Sequence, residues 1–264
     1  MQPTLVSLVI AVELPCGCER TAFRLCAARI SLFCEDAGMT NITFISGLFR
    51  PIRGGIADYS KLKGIIREIS DALELNLWYR SRLVCYADSK EMAEVLLHRG
   101  CYVHRIFDDA PEEIVFDTVH KMKHWIVLNA LREFKNVVWI DWDTYNLKPI
   151  DKQFIRKCLD SDTPKFTWID NYWATVNCAV YYVAHNSIEL MERSFESKVE
   201  EPNDELLWKS VLPVNVREQR DYWFDDYVVN IWDKTDFSNV TDNTYFLHLK
   251  DFSMLRHYKR YAPQ

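Results

Sequence analysis

The sequence predicts an α/β fold, a mostly parallel sheet flanked by helices with a smaller mixed region following it. Three observations predict it. Through the first half, short apolar runs alternate with segments whose apolar residues recur at three- and four-residue spacing. One apolar run, VVWI, ends directly in two aspartates within VVWIDWDTYN (residues 137–146), and after it the regular alternation gives way to shorter mixed elements. Strands separated by helices of this length need right-handed crossovers, which make the strands parallel.

The elements follow in order. LVSLVIAV (5–12) reads as a first core strand. It lacks a basic leader region and is shorter than the ~20 residues of a membrane span. The helix-like ERTAFRLCAARISLFCEDAG follows and stops at Gly38. Then come a strand over 41–47, a helix over 59–73, a strand over 81–87, a helix over 90–98, a strand over 102–107 and a long helix over 117–134 that leads into VVWI. Beyond it, FTWID (166–170) and VNCAVYYVA (176–184) are strand-like, residues 187–200 are helical, and YVVNIW after Asp225-Asp226 has helical spacing. No repeat or linker divides the chain, so one domain over residues 1–264 is expected.

Composition sets limits. A chain of 264 residues that is 48% hydrophobic can bury a sizeable core. Its 32 Lys and Arg against 38 Asp and Glu leave a net charge of -6, which gives no global footprint for nucleic acid. The eight cysteines are scattered. Cys16-Gly17-Cys18 is the only close pair, with no second pair at zinc-site spacing, so reduced thiols and an intracellular compartment are expected. No stretch is long and apolar enough to span a membrane, and a soluble cytoplasmic protein is the expectation.

The two aspartates carry the chemistry. In an open α/β sheet, ligands bind beyond the carboxyl ends of the strands, where Asp141 and Asp143 fall. Alternate residues of an extended strand end share one side, with Trp142 on the other. Two like charges so close repel unless a cation sits between them, and hard oxygen ligands suit Mg²⁺ or Mn²⁺, which in turn neutralise a diphosphate. The plainer alternative is a solvated strand end in which one acid caps the next helix.

Four phrases in order favour the first reading. HKMKHWIVLNALREFKNVVWIDWDTYNLKPIDKQF resembles the central segment of GT-A glycosyltransferases of the glycogenin and family 8 kind, with a basic helix, a strand, Asp-x-Asp and a turn toward a helix. FTWIDNYWATVNCAVYYVAHNS is similar to the strand-and-Asn segment that lines their donor-sugar site. WFDDYVVNIW resembles a W-x-D-Q-x-x-x-N phrase of related enzymes, with Tyr227 where relatives carry Gln. YFLHLKDF resembles the His-bearing strand that supplies the last metal ligand. The family continues that phrase into Gly and Lys-Pro-Trp, whereas here His248 is followed by Leu249, Lys250 and Asp251.

The resemblance, which spans residues 117–252, implies a GT-A fold with residues 1–143 as the nucleotide-binding half and 144–264 as the acceptor and metal-binding half. It implies a metal-dependent transfer of sugar from a nucleoside diphosphate, UDP, to a hydroxyl of a carbohydrate, protein or glycoconjugate, with retention. Asp143 and His248 are then direct ligands of Mn²⁺ or Mg²⁺, with Asp141 bridging the metal and the ribose. Asp170, Asn171 and Asn177 fall where sugar contacts are made. Asp225 and Asp226 are either carboxylates near the anomeric centre or acceptor, or an N-cap. Phosphate contacts fall to Lys121 on the helix and to Lys250 or Lys259 near the end of the chain. The charges of Lys121, Lys123 and Arg132 also have a plain reading as solvated helix residues. The loop ELPCGCERTAFR stands where the nucleobase is received, and FRPIRGGIADYSK is either a surface loop or one that closes on phosphate or acceptor. Trp168, Trp173, Tyr222 and Trp223 suggest a surface for stacking carbohydrate, or core.

Two other readings stay open. A domain of this kind can add sugar to modified nucleobases in DNA, which the acidic charge disfavours, or can bind sugar nucleotide without catalysis. A nucleotidyltransferase would need a Gly-rich basic loop after the first strand, and PCGCER is a poor version of one.

Overall fold

The computed structural model describes residues 42–50, 52–53, 56–57, 62–76, 79–107, 119–169, 176–196, 203–231 and 237–249. The LVSLVIAV strand, the helix after it, the ELPCGCERTAFR loop and Cys16-Gly17-Cys18 lie outside those residues. So do Asp170, Asn171, Trp173, Lys250 and Lys259.

The described elements are β1 (Thr43–Leu48), β2 (Ile52–Arg53), β3 (Ile56–Ala57), α1 (Leu62–Leu75), α2 (Tyr79–Arg82), β4 (Val84–Ala87), α3 (Lys90–Leu97), β5 (Tyr102–Ile106), α4 (Val119–Glu133), β6 (Asn136–Ile140) and β7 (Thr144–Asn146). They continue with α5 (Lys152–Leu159), β8 (Lys165–Trp168), β9 (Val176–Ala184), α6 (Ile188–Glu196), α7 (Asp204–Lys209), β10 (Val228–Ile231) and β11 (Phe246–Leu249). Six strands form one sheet in the order β5-β4-β1-β6-β9-β8. The first four are parallel, and β9 runs antiparallel to both β6 and β8. The mixed α/β fold with a mostly parallel sheet is therefore as expected.

Local chemistry explains the elements. All nine residues of β9 are buried, as a near-continuous apolar run should be when both faces of a sheet are covered. Ser89 caps α3 by accepting from the Met92 N–H, and the helix buries Met92, Ala93 and Leu96 along one side. Gly100, at φ 77°, ends it in a left-handed turn. Asp151 caps α5, whose Phe154 packs against Phe44 of β1 and against Phe224, Tyr245 and Phe246. That aromatic seam joins the large sheet to a second one.

The second sheet, ordered β10-β11-β7, takes β7 from the chain just beyond Asp143 and pairs it with β11. Tyr145, Val229, Ile231, Leu247 and Leu249 form its apolar core. Here the sequence reading needs correction. The segment with helical spacing after Asp226 is strand β10, because Val228, Val229 and Ile231 pair in register with Phe246, Leu247 and Leu249. A single 3-10 turn, Asp225–Tyr227, precedes it, so the Asp pair caps no α-helix. The strand expected over 81–87 begins only at Val84, since residues 81 and 82 close α2.

Cys85, Cys101, Cys158 and Cys178 are free and buried, as expected of reduced thiols. Among the described residues, no helix is long and apolar enough to cross a membrane.

Candidate active site

The site forms where β6 ends. Ile140 pairs with Val180, and the Asp141 N–H donates to the Ala179 carbonyl at 2.7 Å, which fixes the first aspartate at the carboxyl edge of the sheet. The chain then turns, with the Thr144 N–H donating back to the Asp141 carbonyl. Trp142 leaves the cleft and donates its indole N–H to the Gly47 carbonyl of β1 at 2.8 Å. A Cβ at position 47 would stand 2.8 Å from the Phe49 ring and 3.0 Å from that of Trp139, so any larger residue there would push Phe49 aside. Phe49 stacks on Trp139 with ring centroids 6.4 Å apart.

Both aspartates line a cleft of about 340 Å³, together with Asn177 and His248. Strand β11 brings the histidine, since His248 is the register partner of Thr144 and the Leu249 N–H donates to the Asp143 carbonyl. His248 Nε2 lies 3.3 Å from Asp143 Oδ2, and its Nδ1 lies 2.8 Å from the Asn230 amide oxygen. An amide oxygen only accepts, so Nδ1 carries a hydrogen and Nε2 faces the carboxylate. Burial works against the imidazolium, but the Asp143 carboxylate outweighs it and raises the His248 pKa.

Lys123 is the largest departure from the sequence reading. Rather than a solvated helix charge, it is 4% exposed and reaches the cleft from α4. Its Nζ lies 3.0 Å from Asp141 Oδ2 and 2.6 Å from Asp204 Oδ2, and it donates to the Cys178 carbonyl. Burial opposes its charge, but Asp141 and Asp204 prevail and the Lys123 pKa lies above its ordinary value. Asp141 also accepts from the Trp139 indole at 2.6 Å. Burial pushes the Asp141 carboxyl up to about 6, opposed by Lys123 and reinforced by Asp143 and Asp204. Its side chain is still 32% exposed, so water at the mouth of the cleft softens that repulsion.

Helix α7 supplies two carboxylates that the sequence reading missed, Asp204 and Glu205. Asn203 caps the helix by accepting from the Leu206 N–H, which sets both acids in its first turn. Asn177 donates its amide to Glu205 Oε1 at 2.9 Å and accepts from the Ala179 N–H, so it braces Glu205.

The remaining expected residues lie elsewhere. Lys121, half-buried on α4, is not among the lining residues. Neither are Asp225, paired with Lys157 at 2.9 Å, and Asp226, which accepts from Thr241 and Asn243. Arg132 pairs with Glu192 at the surface. Arg50 is tied through its N–H and Nε to Asp88 Oδ2. Trp223 is core, donating to the Val216 carbonyl, and Trp168 meets Trp223 edge to face with the Arg217 guanidinium over its ring. The loop that borders the cleft follows β1 and carries Phe49.

Two groups of the kind that can ligate a divalent cation stand side by side at Asp143 and His248. Asp143 Oδ1 is buried with no hydrogen-bond partner among the described residues, and His248 Nε2 stands beside the other oxygen. Among the described residues that line the cleft, four carboxylates, Asp141, Asp143, Asp204 and Glu205, stand with one ammonium, Lys123, and the His248 imidazole, an excess of acid. Among the described residues, no three His, Cys, Asp or Glu side chains are already drawn together as a metal cage.

A glycosyltransferase involved in the glycosylation of the major capsid of PBCV-1 has a similar structure, with a TM-score of 0.50 over 83% of this chain and 98% of that one, at 18% identity. The fold is GT-A-like. Mouse xyloside xylosyltransferase 1 matches with a TM-score of 0.45 at 8% identity, over 80% of this chain and 98% of that one. The glycosyltransferase GlyE of Streptococcus pneumoniae TIGR4 matches with a TM-score of 0.44 at 10% identity, over 84% of this chain and 64% of that one. No protein-family model and no curated protein matches the sequence. The acidic cleft thus sits at the carboxyl edge of a GT-A-like sheet, where open α/β folds place their ligands.

Proposed function

We propose that the protein is a metal-dependent glycosyltransferase that moves a sugar from a nucleoside diphosphate, UDP, to a hydroxyl acceptor with retention. The observation that carries this reading is the meeting of Asp141, Asp143, Asn177 and His248, from three separate strand ends, in one acidic cleft. Asp143 and His248 would hold Mn²⁺ or Mg²⁺, with Asp141 beside them toward the ribose. When bound, such a cation neutralises the diphosphate and the charge that builds on the leaving phosphate oxygen.

The chain's own groups do the rest. Lys123 holds Asp141 and Asp204 together and keeps their charges tolerable in a buried place. Asn177 orients Glu205, which leaves Glu205 as the carboxylate presented to the sugar or acceptor hydroxyl. Phe49, backed by Trp139, walls the cleft with an apolar face against which a ring can lie. Asp170 and Lys250 retain the sugar and phosphate roles that the sequence resemblance implies. The acceptor is a carbohydrate, protein or glycoconjugate, and four free buried thiols support a reducing, cytoplasmic setting.

Calorimetric titration with a panel of nucleoside diphosphates, with and without Mn²⁺, tests the reading. Metal-dependent binding of one nucleotide, UDP foremost, is expected, together with its loss in Asp143→Ala. No binding under any condition would overturn the assignment. Binding without turnover toward any acceptor would favour a non-catalytic sugar-nucleotide module.

A further inference from the structure

Strand β7 begins one residue after Asp143 and forms the edge of the small sheet. Its inner side pairs with β11, where the Leu249 N–H donates to the Asp143 carbonyl and the Leu147 N–H donates to the Tyr245 carbonyl. Residues 144 and 146 therefore turn their backbone groups outward. The Asn76 side chain meets them there. Asn76 Oδ1 accepts the Asn146 N–H at 2.7 Å, and its Nδ2 donates to the Thr144 carbonyl at 3.2 Å and to the Ala72 carbonyl at 2.9 Å. The amide does for this edge what one peptide unit of a fourth strand would do. The Tyr79 hydroxyl donates to the same Thr144 carbonyl at 3.2 Å. Asn76 is 1% exposed and Tyr79 is fully buried.

We propose that Asn76, seconded by Tyr79, is a positioning residue that bolts the α1–α2 junction to β7 and thereby fixes Asp143 as a cation ligand. This rests on the proposed function for the role of Asp143. Asn76 and Tyr79 are buried and are not among the residues that line the cleft. The clamp acts through the backbone of Thr144, whose carbonyl is one residue from Asp143. Without it, the Thr144 carbonyl loses its outer donors and the Asn146 N–H its acceptor, and the Asp143 carboxylate is free to shift relative to His248.

The test is titration of the full chain with Mn²⁺ alone, followed by electron paramagnetic resonance, on the wild type, Asn76→Ala, Tyr79→Phe and Leu73→Ala. Leu73 is a buried residue of α1, and its truncation weakens the same helix without touching the amide clamp. Asn76→Ala is expected to weaken Mn²⁺ binding by about tenfold or more, as loss of a group supporting a metal ligand does, and to alter the hyperfine pattern of the bound ion. Tyr79→Phe should weaken it by less, while Leu73→Ala stays within about twofold of the wild type on the same scale. Equal affinity and an equal spectrum in Asn76→Ala, or an equal loss in Leu73→Ala, would overturn the proposal. Should Asn76→Ala fail to fold, unchanged binding by folded Tyr79→Phe overturns it. A wild type that takes up no Mn²⁺ overturns the reading of Asp143 as a ligand and the inference with it.

Discussion

Lys123 Nζ lies 2.6 Å from Asp204 Oδ2, with the two side chains 5% and 10% exposed, so one buried ion pair joins α4 to α7 at the cleft. Removing the ammonium leaves Asp141 and Asp204 facing each other without compensation. Lys123→Ala is therefore expected to destabilise the protein by about 3–5 kcal/mol, read from chemical denaturation. Adding Asp204→Ala should restore part of the loss, with a coupling of about 0.5–3 kcal/mol. Strictly additive single effects would show that the pair is not energetically linked.

Asn230 should matter to metal binding although it lies behind the imidazole. Its amide oxygen receives the His248 Nδ1 hydrogen and so directs Nε2 at Asp143. Asn230→Ala is expected to weaken Mn²⁺ affinity about 10–100-fold in calorimetry, and Asn230→Asp, which keeps an acceptor, to recover most of it. Unchanged affinity in Asn230→Ala would mean that the ring is oriented by other contacts.

The elements that were legible in the sequence are those whose local pattern and final environment agree. VNCAVYYVA is apolar but for Asn177 and lies in the interior of the sheet, so its bounds follow from its composition. YVVNIW misled because Val228, Val229 and Ile231 satisfy helical spacing as well as strand spacing, and pairing with β11 settles the matter from eighteen residues away. Asp141 and Asp143 drew notice because they end an apolar strand, and His248 because it interrupts one; the fold brings the three to one cleft. Lys123 was not. Two residues apart on a helix is about 200° of rotation, so Lys121 and Lys123 point to different sides of α4, and only the packed fold shows which side meets the cleft. Asp204 and Glu205 look like an ordinary capped helix start, which they also are. An Asn cap followed by two acids, in a chain that already offers an Asp-x-Asp, was the signal available.

Glu205 is the carboxylate in the cleft for which turnover should be most sensitive at constant binding. Glu205→Gln keeps an oxygen to accept from Asn177, so the brace persists while the charge is lost. Nucleotide affinity is expected to stay within about threefold, while the transfer rate falls by about 100-fold or more. A rate close to wild type would remove Glu205 from the chemistry.

Asp151 gives a pH dependence away from the cleft. Its Oδ1 accepts from the Tyr245 hydroxyl at 2.6 Å and from the N–H groups of Gln153 and Phe154 at 2.8 and 3.1 Å. The Tyr245 hydrogen bond first, then the backbone donors of the helix start, lower its pKa below the ordinary value. A folded value below the unfolded one, about 3.9, contributes stability that is present above that pH and is lost as pH falls through the folded value. Asp151→Ala should then destabilise by about 0.5–2 kcal/mol at pH 7, the range for a lost N-cap, and the difference from wild type should shrink as pH falls below about 4. Asp151→Ser keeps a cap without a charge, so its stability relative to Asp151→Ala should not vary with pH. Urea unfolding of the three proteins between pH 7 and pH 3 measures both differences. A gap between wild type and Asp151→Ala that is the same at both ends would show that the carboxylate's charge contributes nothing to holding α5 against Tyr245.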